Sequence, residues 1–144
     1  MIKLRLAMGR SIGLTQYGTC HIISCVEVIH TDEFGEWWNS LSEEEQEDVA
    51  RVVELLRGAG VLLKFPHSSA LGGTKEALRE LRPLRGASPL RVVYAFDPKR
   101  DAVLLLGGDK GSDARFYERL IARAERVWKE YLAEQAKGLH EEKP

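Results

Sequence analysis

Leu90-Arg91-Val92-Val93-Tyr94-Ala95-Phe96-Asp97, then Pro98-Lys99-Arg100, then Asp101-Ala102-Val103-Leu104-Leu105-Leu106: on this stretch the fold turns. Two apolar runs of strand length flank a segment whose proline and aspartates favour a turn, so 90–97 and 102–106 pair as an antiparallel hairpin. A further strand over 77–82 lies before them. The short connection 83–89 lets all three run side by side as a meander.

Upstream, Cys25 to His30 has the β-branched content of a strand. Thr31 is placed to cap a helix, with Asp32 and Glu33 in the first turn, where the helix dipole favours anions. Phe34, Trp37, Trp38 and Leu41 form one helical stripe, which reads the two tryptophans as core rather than as a platform for bases. Ser42 and Glu45 have capping-box spacing, and Val49, Val52, Val53 and Leu56 continue a second helix to Gly58 and Gly60. Residues 62–73 carry Pro66, Ser68, Ser69, Gly72 and Gly73 and read as a loop, with His67 as surface decoration.

Downstream of Gly107-Gly108-Asp109-Lys110-Gly111, a last helix is predicted over 113–134, with Tyr117, Leu120, Ile121, Ala124, Val127, Trp128 and Tyr131 on one face. Residues 135–144 are a polar tail, and residues 1–25 read as a weakly ordered extension. The domain is therefore 26–134, of class α+β, in the order β-α-α-β-β-β-α. A curved antiparallel sheet with helices on one side is the economical arrangement, leaving the other face open.

The chain has 144 residues, 44% hydrophobic and 30% charged, which suits one buried core. No run approaches the roughly 18 apolar residues of a membrane helix, so a cytoplasmic protein is expected. Cys20 and Cys25 are too few for a disulfide framework or a zinc site. The net charge of −1 hides a segregation: ten acids against Arg51 over 27–54, but six bases against Glu76 and Glu80 over 64–91. That asymmetry fits a polyanion on one face, and equally two solvated faces.

Arg82, Arg91 and Lys110 sit at or beside the ends of neighbouring strands, with Arg79, Arg85 and Lys75 nearby. A guanidinium fork grips a phosphate at two points, and an ammonium stabilises charge developing on oxygen, so such a group suits phosphate chemistry without metal or cofactor. Attack of an RNA 2′-hydroxyl on its own phosphate needs no protein nucleophile. The glycine-rich 107–111 segment lacks the spacing of a P-loop or a dinucleotide fingerprint, and the four histidines are scattered.

Four segments then carry a resemblance: Thr31-Asp32-Glu33-Phe34 with Trp37-Trp38, Leu78-Arg79-Glu80-Leu81-Arg82-Pro83, Arg91-Val92-Val93-Tyr94-Ala95-Phe96-Asp97, and Leu105-Leu106-Gly107-Gly108-Asp109-Lys110, followed by Arg115-Phe116-Tyr117-Glu118-Arg119. In this order the chain resembles the RelE/ParE toxin superfamily, in its HigB-like branch, from Val26 to about Leu132. The resemblance implies a type II toxin that cleaves messenger RNA on the ribosome and is held by a helix-turn-helix antitoxin. It maps catalysis to Arg82, Arg91 and Lys110; Lys75, Arg79 and Arg85 are further candidates for RNA backbone contacts, and Tyr94 for stacking on a base, although its alternation with Val93 beside Phe96 reads slightly better as core. The three catalytic residues are expected to converge on an exposed surface of the sheet. The alternatives are a ParE-like gyrase binder without catalysis, and an inactive antitoxin-binding member of the same fold.

Overall fold

The computed structural model describes the backbone of residues 4–5, 26–84 and 88–141. Ten segments form in order: β1 (Leu4–Arg5), β2 (Val28–His30), α1 (Asp32–Ser40), α2 (Glu43–Ala59), a 3-10 turn (Gly60–Leu62), β3 (Ser68–Ala70), β4 (Arg79–Leu81), β5 (Leu90–Phe96), β6 (Ala102–Asp109) and α3 (Phe116–Glu141). The reading of 1–25 as an extension lies outside the described residues, except that Leu4 and Arg5 pair with His30 and Ile29.

The strands form one sheet ordered β1-β2-β6-β5-β4-β3. The predicted meander is present, antiparallel throughout from β3 to β6. Two features were not anticipated. β2 runs parallel to β6, because the α1–α2 hairpin carries the chain to the far edge of the sheet and the β3–β6 meander then returns to β2 with β6 in the parallel sense. The segment read as loop also yields β3, whose Ser68 pairs with Leu81 and hydrogen-bonds Tyr94 through its side chain at 2.6 Å. Serine and alanine carry little strand propensity, so β3 is made by its partner rather than by its own residues.

The core lies in two layers. Phe34, Val49, Val52, Val53 and Leu56 of the α1–α2 hairpin pack on Leu81, Leu90, Val92, Tyr94 and Leu104. On the opposite face, Leu120, Ala124, Val127, Trp128 and Tyr131 of α3 pack on Val93, Ala95, Val103, Leu105 and Leu106. The open face expected from the sequence is thus closed by α3. Every residue of β5 from Leu90 to Ala95 and of β6 from Ala102 to Gly107 is buried, and runs that are apolar without alternation require cover on both faces.

Caps and turns are built from the residues that the sequence singled out. The Thr31 hydroxyl accepts from the Phe34 amide and donates to the Leu105 carbonyl at 2.6 Å, which ties the start of α1 to β6. Ser42 and Glu45 form the full capping box. At the β5–β6 turn one oxygen of Asp97 accepts from the Lys99 and Asp101 amides, and the other accepts from the Tyr131 hydroxyl at 2.7 Å. α3 runs on to Glu141, beyond the predicted stop at 134, through Gln135, Ala136 and Lys137, all good helix formers.

Tyr131→Phe strands a buried carboxylate oxygen and should destabilise the fold by about 1–3 kcal/mol, read as a lower Tm. Burial, and then the hydrogen bond to Asp97, holds the Tyr131 phenol well above its ordinary range. Its contribution is therefore fully present below about pH 10 and is lost as pH rises beyond the unfolded-state phenol pKa, and Tyr131→Phe should flatten that alkaline decline. A methyl group at Gly107 would meet the Trp37 ring at 2.3 Å. Gly107→Ala should therefore cost about 1–3 kcal/mol in chemical denaturation, with a change in tryptophan fluorescence.

Candidate functional site

Period-two alternation sorts the charged residues of β4. Arg79 and Leu81 face the α1–α2 layer, where the Arg79 Nε donates to Ser68 Oγ at 3.0 Å and to the Tyr94 hydroxyl at 3.3 Å. Leu78 and Glu80 face α3. On β5, Arg91 is aligned with Gly108 of β6 and shares the α3 face with Val93 and Ala95. Gly108 has no side chain to hold α3 away: a methyl there would lie 2.9 Å from Phe116. The first turn of α3 consequently sits directly over this end of the sheet.

That approach sets the Tyr117 hydroxyl against both Glu80 and Arg91. Glu80, only 5% exposed, accepts from Ser69 Oγ at 3.2 Å and lies 4.0 Å from the Arg82 Nε. Lys110 follows the end of β6, its amide bonded to the Pro89 carbonyl, and its ammonium stands 5.6 Å from the centre of the Tyr117 ring. Arg82 and Tyr117 therefore lie beside the buried Glu80 carboxylate, Arg91 meets it through Tyr117, and Lys110 stands over the Tyr117 ring. Burial, above all, raises the Tyr117 pKa; the Arg91 hydrogen bond opposes this and Glu80 reinforces it. The phenol is neutral at physiological pH and can donate a proton.

The sequence expectations are met unevenly. Arg82 is half-buried, and its guanidinium rests 5.6 Å from the Phe65 ring centre. Lys110 is exposed. Arg91 is not an exposed phosphate clamp: it is 8% exposed, and its Nη1 donates to the Leu90 and Ser88 carbonyls at 2.8 and 3.1 Å. Placed mid-sheet under α3, its guanidinium can reach only the first helical turn and its own connection. Tyr94, a candidate for base stacking that read slightly better as core, is fully buried on the opposite face, with its hydroxyl bonded to Ser68. Its place among Leu81, Val92 and Leu104 makes it core. Arg79 is on that opposite face too, and is not brought to the cluster. Lys75 is exposed in the connection before β4, and Arg85 lies outside the described residues.

Two members of the cluster were not assigned to the site from sequence. Tyr117 was read as part of the apolar face of α3 and of the 115–119 segment that carries the resemblance, and Glu80 as an acid among bases whose pairing with the arginines would count against their catalytic role. Glu80 Oε2 and Arg91 Nε are both buried without a hydrogen bond of ordinary geometry, leaving an acceptor and a donor beneath Tyr117. Arg115, just before α3, and Arg119, Arg123 and Arg126 along it also lie exposed at near-helical spacing, and among these four only Arg119 has an ion pair, with Asp113 at 3.3 Å. That spacing was available in the sequence.

The family profile described as phage-derived protein Gp49-like matches residues 36–129, well over half of the chain. The chain belongs to the Gp49-like family. Two curated relatives come from Mycobacterium tuberculosis. The candidate toxin HigB2 is 35% identical over 101 residues, covering 68% of this chain and 50% of HigB2. The candidate toxin HigB3 is 33% identical over 113 residues, covering 77% of this chain and 97% of HigB3. The chain thus spans about half the length of the first and nearly all of the second. Among solved structures, the archaeal RelE-RelB complex from Pyrococcus horikoshii OT3 aligns with a TM-score of 0.48 at 16% identity, over 63% of this chain and 100% of that chain. The HigB-like affiliation read from four sequence segments is borne out at the level of family. Among the described residues, no helix of this Gp49-like protein is long and apolar enough to cross a membrane.

The electrostatics of the cluster can be read directly from Tyr117. Glu80→Gln removes a charge that raises the phenol's pKa and should lower it; Arg91→Gln removes one that lowers it and should raise it further. Ultraviolet titration of each variant, differenced against the same variant carrying Tyr117→Phe, measures both signs. Shifts in the same direction would mean that the hydroxyl does not lie between the two groups.

Proposed function

We propose that this Gp49-like protein is the toxin of a type II toxin–antitoxin pair, and that it cleaves messenger RNA on the ribosome without a metal ion. The observation that carries the reading is the gathering of Arg82, Arg91, Lys110 and Tyr117 at one end of the α3 face of the sheet. The names of the two curated relatives support the toxin half of it. The partners are then messenger RNA, the ribosome and a helix-turn-helix antitoxin.

In the proposed step the ribose 2′-oxygen attacks the adjacent phosphorus. The O2′–P bond forms and the P–O5′ bond breaks, leaving a 2′,3′-cyclic phosphate and a 5′-hydroxyl. The 2′-hydroxyl proton passes to solvent, and the departing O5′ takes one from the neutral phenol of Tyr117 or from the Lys110 ammonium. Arg82 and Lys110 stabilise the charge that builds on the phosphorane oxygens. Arg91 acts from below, holding Tyr117 in place against Glu80 and adding positive potential. The exposed arginines of α3 give a track of cations beside the site for the rest of the RNA backbone.

A second reading has one observation in its favour. Arg91 is buried and Arg82 leans toward Glu80, so part of the positive charge is already compensated, as it would be in a gyrase-binding toxin that needs no catalysis.

Induction in a bacterium, with mapping of messenger-RNA 5′ ends, separates the two. Wild type should arrest growth and produce new cleavage sites, and Lys110→Ala and Tyr117→Phe should each reduce cleavage by about 10²–10⁴-fold, with the wild-type Tm retained by Lys110→Ala. Arrest without cleavage would move the protein to the gyrase reading; no arrest would leave an antitoxin-binding member of the fold.

A further inference from the structure

We propose that the shallow pocket between α2 and the Pro83–Leu84 segment receives an amphipathic, lysine- or arginine-bearing helix of a partner protein, and that this occupant also covers Arg82. The second half rests on the reading of Arg82 as part of an RNA-cleaving site; the first does not.

The pocket has a volume of about 180 Å³, and its floor is apolar, from Val52, Leu55, Pro83 and Leu84. Large apolar side chains stand in solvent at its edge and close by. Leu55 is 45% exposed, Leu84 51% and Phe65 72%. Leu55 breaks the polar outer face of α2, and Leu84 begins the connection to β5, so neither serves the core described above. An apolar depression with exposed leucines on two sides of it is the form taken by sites that bury one or two anchor side chains of a partner.

The surroundings select the partner's charge. Glu43, Glu44 and Glu47 are exposed along α2, and Asp48 stands at the pocket itself. The one base of that helix face, Arg51, already lies 4.0 Å from Glu47 and 3.4 Å from Asp48. A nucleic acid or an anionic membrane surface would be repelled here. A helix with apolar anchors at i and i+4 and basic residues flanking them would fill the floor and meet the carboxylates. The site is also continuous with the candidate catalytic cluster. His67 lines the pocket, its carbonyl accepts from the Arg82 amide at 2.8 Å, and Phe65, two residues before it, lies under the Arg82 guanidinium. A helix seated on Leu84 and reaching Phe65 would close over Arg82 and keep phosphate from it.

The probe is a fluorescently labelled synthetic helix of roughly 20 residues, with leucines at i and i+4 and lysines on the flanks, and a counterpart carrying glutamate for lysine. Fluorescence anisotropy with the full chain should show binding of the lysine peptide that weakens with salt, and little binding of the glutamate peptide. Leu84→Asp and Leu55→Asp, both at half-exposed positions and so compatible with folding, should each weaken binding about tenfold or more, and Lys110→Ala should leave it unchanged. Saturating peptide should suppress RNA cleavage by wild type and not by Leu84→Asp. Equal binding by the aspartate variants, or a preference for the glutamate peptide, would overturn the docking site. Self-association abolished by Leu84→Asp would overturn it too, by assigning the patch to a second copy. Binding that left cleavage intact would overturn the covering of Arg82. A wild type that bound the peptide but never cut RNA would defeat the nuclease reading and leave the docking site standing.

Discussion

One additional residue in β6 decides which way the working end of the sheet faces. Val93 pairs with Leu106 but Tyr94 pairs with Leu104, so Leu105 is left over at the step between them. Leu105 and Leu106 consequently both point into the α3 layer. Beyond that step the alternation is inverted: Gly107 lies under Trp37 and Gly108 under Phe116. Without the extra residue, Gly108 would turn toward α1 and the close approach of Phe116 and Tyr117 to Arg91 would be lost. Thr31 is placed at this irregularity, taking the Leu104 carbonyl with its amide and the Leu105 carbonyl with its hydroxyl. One residue thereby caps α1, continues the β2–β6 ladder at the Leu104 carbonyl, and takes the Leu105 carbonyl at the bulge.

The bulge also explains what could and could not be read from the chain. The hairpin, the helical stripes, the Thr31 cap and the Ser42 capping box are local, and each follows from a few neighbouring residues. The closed second face was legible as well, in the unbroken apolar run of Val103 to Leu106, and was missed by treating the sheet as one-sided. The bulge was not legible, since Leu104, Leu105 and Leu106 are the same residue type and nothing local says which of them is extra. Arg82 and Lys110 could be nominated from strand ends. The depth of Arg91 and the inclusion of Tyr117 depended on the tertiary approach of α3, which a single strand's alternation does not contain. The choice for Tyr94 between core and a base-stacking surface was left open for the same reason: its face is set by counting from Leu90, and only the sheet shows which face is which.

Burial changes the kind of work that each cation can do. An arginine beneath a helix, tied to two carbonyls of its own connection, cannot swing out to meet a phosphate, but its charge acts through a medium of low dielectric and is little screened. Glu80 is the counterweight. With Arg82 and Arg91 near it, a single buried carboxylate keeps the cluster from being a cavity of unopposed positive charge, and it pulls the Tyr117 phenol toward its neutral form. For the proposed cleavage step, a neutral donor next to cations is the combination that a departing alkoxide would need, since the cations would stabilise the charge and the phenol would remove it.

The near-zero net charge of the chain is then better understood as two surfaces than as one average. The outer face of α2 is acidic, whereas the exposed face of α3 carries Arg119, Arg123 and Arg126, with Arg115 and Lys110 exposed in the segment before it. The two helices cover opposite faces of the same sheet. The sheet and the two helices therefore separate opposite charges by their combined thickness, on the order of 20 Å or more, at least twice the screening length at physiological ionic strength. Each surface can present its own sign to a partner with little cancellation from the other. A polyanion and a basic protein can thus approach the same small domain from different directions.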